Sequence, residues 1–406
     1  MRFLRTASTR RLLAALAGLL VAIVAGSAIA IAAAGTGPVP ARKSLARAIH
    51  DAMAGPSVAG ISARVTFTNH LIDASNLQGT DPLLQGASGR MWMAPGYGMR
   101  LELQSDNGDA QLVLNHGRFW AYDPSSNTVY EGTLPADSST SKKDSGKDTG
   151  LPTVAQIQSA ITRLSGHAGV SRAVPGDIAG RPEYTFTVRP ATGGGLLGGL
   201  SLAFDAVRGV PLRFAVFARG DSTPVLELKA TDISYGKVHS SVFAISAPKD
   251  AKVVNLSLPT GTGAAADSHK ADKGAKRHAD VTGVNAVAKQ LHFRLAAPAA
   301  LAGLQRSAVA LQGKGADAGA LVTYGQGLGG IYVIERPAGA KQPSSAASSS
   351  SDQSALSLPT TSIHGSTATV LPTALGTVVT FTRDGVSYTV LGSVTQATAE
   401  QAARGL

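Results

Sequence analysis

From Gly60 onward the chain repeatedly alternates apolar with polar residues. "GISARVTFTNH" sets Ile61, Ala63, Val65 and Phe67 on one side and Ser62, Arg64, Thr66 and Thr68 on the other. That is the pattern of a strand with one buried face. "GRMWMAP" and "GMRLELQSD" follow, and in the second Met99, Leu101 and Leu103 oppose Arg100, Glu102 and Gln104. "QLVLNHGRFWAYDPSSNTVYEG", Gln111 to Gly132, predicts three strands joined by turns at Asn115-His116-Gly117 and at Asp123 to Asn127, where the residues tolerate turn geometry. Its middle strand breaks the rule. Phe119 and Ala121 share one side and Trp120 and Tyr122 the other, so both faces need cover.

Helical periodicity is rarer. In "SLARAIHDAMAG", Leu45, Ile49 and Met53 recur four apart behind Ser44, a candidate N-cap. "TVAQIQSAITRLSG" carries the capping-box pair Thr153 and Gln156 and the stripe Ile157, Ile161 and Leu164. "PEYTFTVRP", "GLSLAFD", "PLRFAVFARG" and "PVLELKATDISYG" predict four further strands, and "SSVFAISAPKDAKVVNL" a closing strand and tail. A second unit opens near Asp280 with the helical "VNAVAKQLHF" and continues through "SAVALQG", "GALVTYG" and "GIYVIERP". It ends in "STATVLPTALGTVVTFTRDGVSYTVLGSV", with a hairpin expected at Asp384-Gly385, and a helix in "TAEQAARGL".

These elements divide the chain. Residues 1–11 form a basic N-terminus holding Arg2, Arg5, Arg10 and Arg11, and 12–34 an uncharged apolar run. Two readings of that run stand. It is long enough for a membrane-spanning helix whose arginines stay in the cytoplasm, and Ala28-Ile29-Ala30 also resembles a signal-peptide cleavage site. Either way the rest is exported, giving a membrane-bound protein with its bulk outside or a secreted one. A first domain spans 44–258, a polar linker 259–279, and a small domain 280–406 with a Ser-rich insertion at 339–357.

The 406 residues carry a net charge of +11 and no cysteine. Without disulfides each domain must hold together by its own core, and without a lipobox cysteine the chain is no acylated lipoprotein. The positive charge does not point to nucleic acid. Four arginines precede the apolar run and many lysines sit in "SSTSKKDSGKD" and "DSHKADKGAKRHAD", with no aromatic-basic interleaving for base stacking.

Catalytic chemistry is missing too. "GQGLGG", Gly325 to Gly330, has G-x-G-x-x-G spacing, but a strand follows where a dinucleotide site needs a helix. A glycine-rich hairpin turn is expected instead. The nine histidines are scattered, His269 and His278 among them in the linker, so no metal is expected. Glu102 and Glu183 are the one carboxylate pair worth weighing, and a solvated face explains them. No enzyme activity and no cofactor are expected.

The first domain resembles the LolA/RseB-like lipoprotein-carrier family. "GRMWMAPGYGMRLEL", "LVLNHGRFWAYDPSSNTVY", "AGRPEYTFTVRP", "VRGVPLRFAVF" and "ISYGKVHSSVFAISAPKDAKV" are similar to its successive strand motifs, with Asp250 where glycine is usual. The second unit resembles an extracytoplasmic module of anti-sigma-factor-like membrane proteins through "HFRLAAPAALAGL", "ALVTYGQGLGGIYVIERP" and "GVSYTVLGSV…EQAARGL". About ten residues precede the apolar run, so direct sigma-factor control is not expected.

With the apolar run read as an N-terminal membrane helix, the expected chain is α+β: after that helix the resemblance implies an unclosed antiparallel β-barrel capped by helices, and a small α+β domain follows. The resemblance also implies a cavity for lipid or the acyl chain of a lipoprotein. One apolar face of the Gln111–Gly132 meander would meet the capping helices and ligand, the other loops or the C-terminal unit. The candidate lining is Phe67, Met91, Met93, Leu101, Leu103, Phe119, Tyr184, Phe186, Phe204 and Phe214. Methionine suits a cavity that adapts to different chains; the plainer reading is that Phe119, Trp120 and Tyr122 fill an ordinary core. The alternative function is a regulatory module that contacts an envelope protein partner and holds no lipid.

Overall fold

The computed structural model describes residues 39–73, 82–95, 98–106, 108–133, 151–166, 168–191, 195–246, 248–256, 281–339 and 358–406. The basic N-terminus, the apolar run, the whole linker with its histidines and all of the Ser-rich insertion but its first residue lie outside them. No helix among the described residues is long and apolar enough to cross a membrane.

The first domain begins with α1 (Leu45–Met53), capped as expected by the Ser44 hydroxyl, which accepts the Arg47 N–H. Its strands are β1 (Ile61–Asn69), β2 (Gly86–Ala94), β3 (Gly98–Leu103), β4 (Ala110–Asn115), β5 (Arg118–Asp123) and β6 (Thr128–Thr133). After α2 (Val154–Ser165) come β7 (Ala168–Val170), β8 (Val174–Ile178), β9 (Arg181–Pro190), β10 (Leu197–Asp205), β11 (Pro211–Ala218), β12 (Pro224–Tyr235) and β13 (Lys252–Leu256). They form one sheet ordered β13-β6-β5-β4-β3-β2-β1-β12-β11-β10-β9-β7, with β8 also on β9. Both predicted meander turns are present, with His116, Gly117 and Asn127 at positive φ.

The sheet curls into a half-barrel. β9 and β12 are three strand steps apart, about 14 Å in a flat sheet. Yet Arg181 of β9 donates to the Ile233 carbonyl of β12 at 3.1 Å. Register shifts between Arg64 and Val65, and between Ala203 and Phe204, are bulges of the kind that sharpen such coiling.

One expectation needs correcting. The closing strand β13 pairs parallel to β6, Lys252 opposite Thr128 and Val254 opposite Tyr130, so the barrel is not wholly antiparallel. The segment after β12 crosses the sheet before pairing, which fixes the direction of arrival. Its 3₁₀ turn Ser240–Phe243 covers part of the second face of the sheet. It packs on β3 and β4, where Arg100 donates to the Val242 carbonyl and Phe243 and Val113 are buried. Arg100 also lies over the Trp92 ring and pairs with Glu102. On this face the turn covers β3 and β4, while Trp120 and Tyr122 of β5 stay half-buried.

That unit contains α3 (Val284–Ala288), β14 (Ala300–Leu301), β15 (Leu304–Gln312), β16 (Gly319–Tyr324), β17 (Ile331–Pro337), β18 (Thr360–Ile363), β19 (Ser366–Thr373), β20 (Gly376–Arg383), β21 (Val386–Gly392) and α4 (Gln396–Arg404). Its sheet runs β14-β15-β16-β17-β21-β20-β19-β18. Gly325–Gly330 is the connection between β16 and β17, as its flanking strands demanded. Asp384 and Gly385 make the β20–β21 hairpin with both φ positive. The two domains touch: Leu196 N–H donates to the carbonyl and hydroxyl of Ser393, and Ala374 N–H to the Leu71 carbonyl at 2.8 Å. Ala374 and Leu375 pack against buried Val216, Ala218 and Val225.

Candidate functional site

Residues directly opposite in paired strands point to the same side of a sheet, so register locates the candidate lining. One row runs Phe186, Leu202, Phe214, Leu228, Phe67 and Ala87 across β9, β10, β11, β12, β1 and β2. Alternation along β2 carries that side to Met91 and Met93. From there a second row runs Met91, Leu101, Leu112, Ala121 and a third Met93, Met99, Leu114, Phe119. Leu103 sits opposite Gly89 and Phe204 opposite Tyr184. All ten candidates therefore share one face.

That face is covered unevenly. Over β9–β11, α1 and α2 close it. Leu45, Ile49 and Ile157 pack with Tyr184, Phe186, Leu202 and Phe204, and Phe214 borders them. Tyr184 and Phe204 are 1% exposed, and the Tyr184 hydroxyl donates to the Ala41 carbonyl. Tyr184, Phe186 and Phe204 are therefore part of the helix-packed core. The helix-packed cluster takes nothing from β1–β6. There Phe67, Met93, Leu101 and Phe119 remain half-buried, although Met91 and Leu103 are buried.

The face has two distinct ends along β1. At the Asn69 end, Leu200, Phe214, Val216 and Leu226 meet the β19–β20 hairpin of the C-terminal domain. At the Ile61 end, Ile61 lies between Met93 and Tyr235, and Tyr235, Met93 and Met99 belong to one cluster. Here the surroundings turn polar. The Tyr235 hydroxyl donates to the Asp205 carboxylate at 2.6 Å. Guanidiniums of Arg181 and Arg208 stand 4.9 and 4.7 Å from its ring centroid, within cation–π range. Burial, and then the Asp205 carboxylate, push the Tyr235 hydroxyl far up from its ordinary value, so it stays a neutral donor.

Sequence reading did not find this corner. Arg181, Arg208 and Tyr235 come from three separate elements, and only the curl brings them together. Glu102 is taken by Arg100 and Glu183 accepts from the Thr185 hydroxyl. No group of three or more acidic or histidine side chains among the described residues could hold a metal.

No protein-family model matches the chain, and no curated relative does. Among solved structures it is similar to MucB in complex with MucA(peri), at 13% identity and TM-score 0.38 over 85% of this chain and 91% of that one. It is similar to the MucA/MucB complex of Pseudomonas aeruginosa at 14% and 0.38, over 85% and 91%. A LolA superfamily protein from Nitrosomonas europaea is similar at 7% and 0.19, over 45% of this chain and 88% of that one. These identities fall below 25% and the TM-scores below 0.5, a similarity that leaves the half-barrel to be read from the strand order and curl of the sheet itself.

Proposed function

We propose that this protein is an extracytoplasmic carrier or sensor that holds an acyl chain non-covalently on the β1–β5 part of its apolar face. It is held at the membrane by the apolar run at residues 12–34, or released if that run is cleaved, and it does no chemistry on its ligand. The observation that supports this is the half-exposure of Phe67, Met93, Leu101 and Phe119 on the face that α1 and α2 cover only over β9–β11. Removing apolar surface from water yields about 25 cal/mol per Å², roughly 0.8 kcal/mol per methylene. An acyl chain laid across those residues gains enough for micromolar affinity even after ordering costs. Methionines at 91, 93 and 99 let the surface reshape around chains of different length.

The full chain, purified in neutral detergent from a bacterial envelope and extracted with organic solvent, tests this directly. Acyl lipid is expected in the extract by mass spectrometry. Protein that is repeatedly lipid-free and binds no fluorescent fatty acid overturns the reading. Such a result, together with loss of cellular function on deleting Asp280 to Leu406, favours the regulatory module instead.

A further inference from the structure

The corner at the Ile61 end has the chemistry of an anion site. Asp205 is fully committed: its carboxylate accepts the Val207 N–H at 2.7 Å, the Arg208 N–H at 2.9 Å and the Tyr235 hydroxyl at 2.6 Å. Glu183 lies opposite Asp205 in register and accepts the Thr185 hydroxyl. Neither Arg181 nor Arg208 forms an ion pair with a described carboxylate; the nearby Asp177 instead caps its own turn through the Gly180 N–H. Arg181 spends one N–H on the Ile233 carbonyl. Both side chains are half-buried, where a charge pair is screened less than at the surface. A guanidinium fork without an ion-pair partner can grip a carboxylate or a phosphate bidentately.

The corner also lies in line with the apolar rows. Tyr235 is opposite Ile61, Ile61 opposite Met93 and Met93 opposite Met99. A molecule whose tail lies on Met93, Met99 and Phe119 brings its polar end to these arginines. The C-terminal hairpin packs at the other end of β10–β12, against Leu71 and Val216.

We infer that the ligand is an anionic amphiphile, its carboxylate or phosphate headgroup held by Arg181 and Arg208 beside Tyr235. This rests on the acyl-binding reading above and adds the headgroup to it.

The test uses the full chain in neutral detergent with a photoreactive diazirine fatty acid and, separately, its uncharged methyl ester. The acid is expected to label peptides of β1–β5 about tenfold more than the ester, as a desolvated charge-assisted pair requires. High salt, Arg181→Gln and Arg208→Gln should each bring acid down to ester, while Arg208→Lys keeps much of the preference. Melting temperatures of the variants are measured in parallel. If a variant is unfolded, the ester and salt comparisons on the unaltered chain decide. Equal labelling by acid and ester overturns the headgroup inference and leaves the apolar reading intact. No labelling of β1–β5 by either probe overturns the apolar reading itself. Inorganic phosphate that shields the arginines from phenylglyoxal, with no preference for acid over ester, marks a plain anion site and also overturns the inference.

Discussion

Glu335 is the residue with the clearest physical signature. It is fully buried on β17, with Tyr324 and Tyr388 nearby. One carboxylate oxygen accepts the Ala296 N–H, and the other has no partner among the described residues. Burial pushes its carboxyl up to about 7. Between its ordinary 4.5 and that value, the folded chain keeps a proton the unfolded chain has released. Stability therefore falls as pH rises through this window and levels off above it, by on the order of 3 kcal/mol in full. Urea unfolding of the C-terminal domain at pH 5 and pH 8 should show the loss, and Glu335→Gln should remove most of it. A second residue-scale test is Gly89, which faces Leu103. A Cβ there would lie 2.0 Å from the Glu102 carbonyl oxygen. Gly89→Ala should cost about 2 kcal/mol, read as a lower urea midpoint.

The elements show what a sequence carries and what it withholds. Strands and turns were legible because alternation and residues such as Asn, Asp and Gly act locally. Ser44 and the Thr153/Gln156 box cap their helices as read. The parallel arrival of β13 was not legible, since "KVVNL" states a propensity and no partner. Nor was the split among the ten candidate residues. All share a face, but Tyr184, Phe186 and Phe204 meet α1 and α2 while Phe67 and Leu101 do not, a difference set by where helices land. The box on α2 offers a test at this scale. Thr153→Ala removes the acceptor for the Gln156 N–H and should lower stability by about 1 kcal/mol, measurable by thermal unfolding.

Across the whole molecule the C-terminal domain packs at one end of β10–β12 and the arginine corner marks the other. The docking depends on close backbone approach. Gly195 has positive φ, and a Cβ there would lie 2.2 Å from the Ser393 carbonyl oxygen. Gly195→Val should therefore undock the domains and split calorimetric unfolding into two separate transitions. The arginine corner was beyond sequence reading for the same reason the interface was: residues far apart in the chain meet only through the curl.

The account depends above all on which face of the sheet meets the ligand. Lipid carried through purification by the full chain, Leu101→Arg and Thr66→Arg measures this most directly, because Leu101 lies on the apolar face and Thr66 on the opposite one. The account predicts acyl lipid in the unaltered chain and in Thr66→Arg, and severe depletion in Leu101→Arg at unchanged folding. Equal lipid in all three, or none in any, would contradict it.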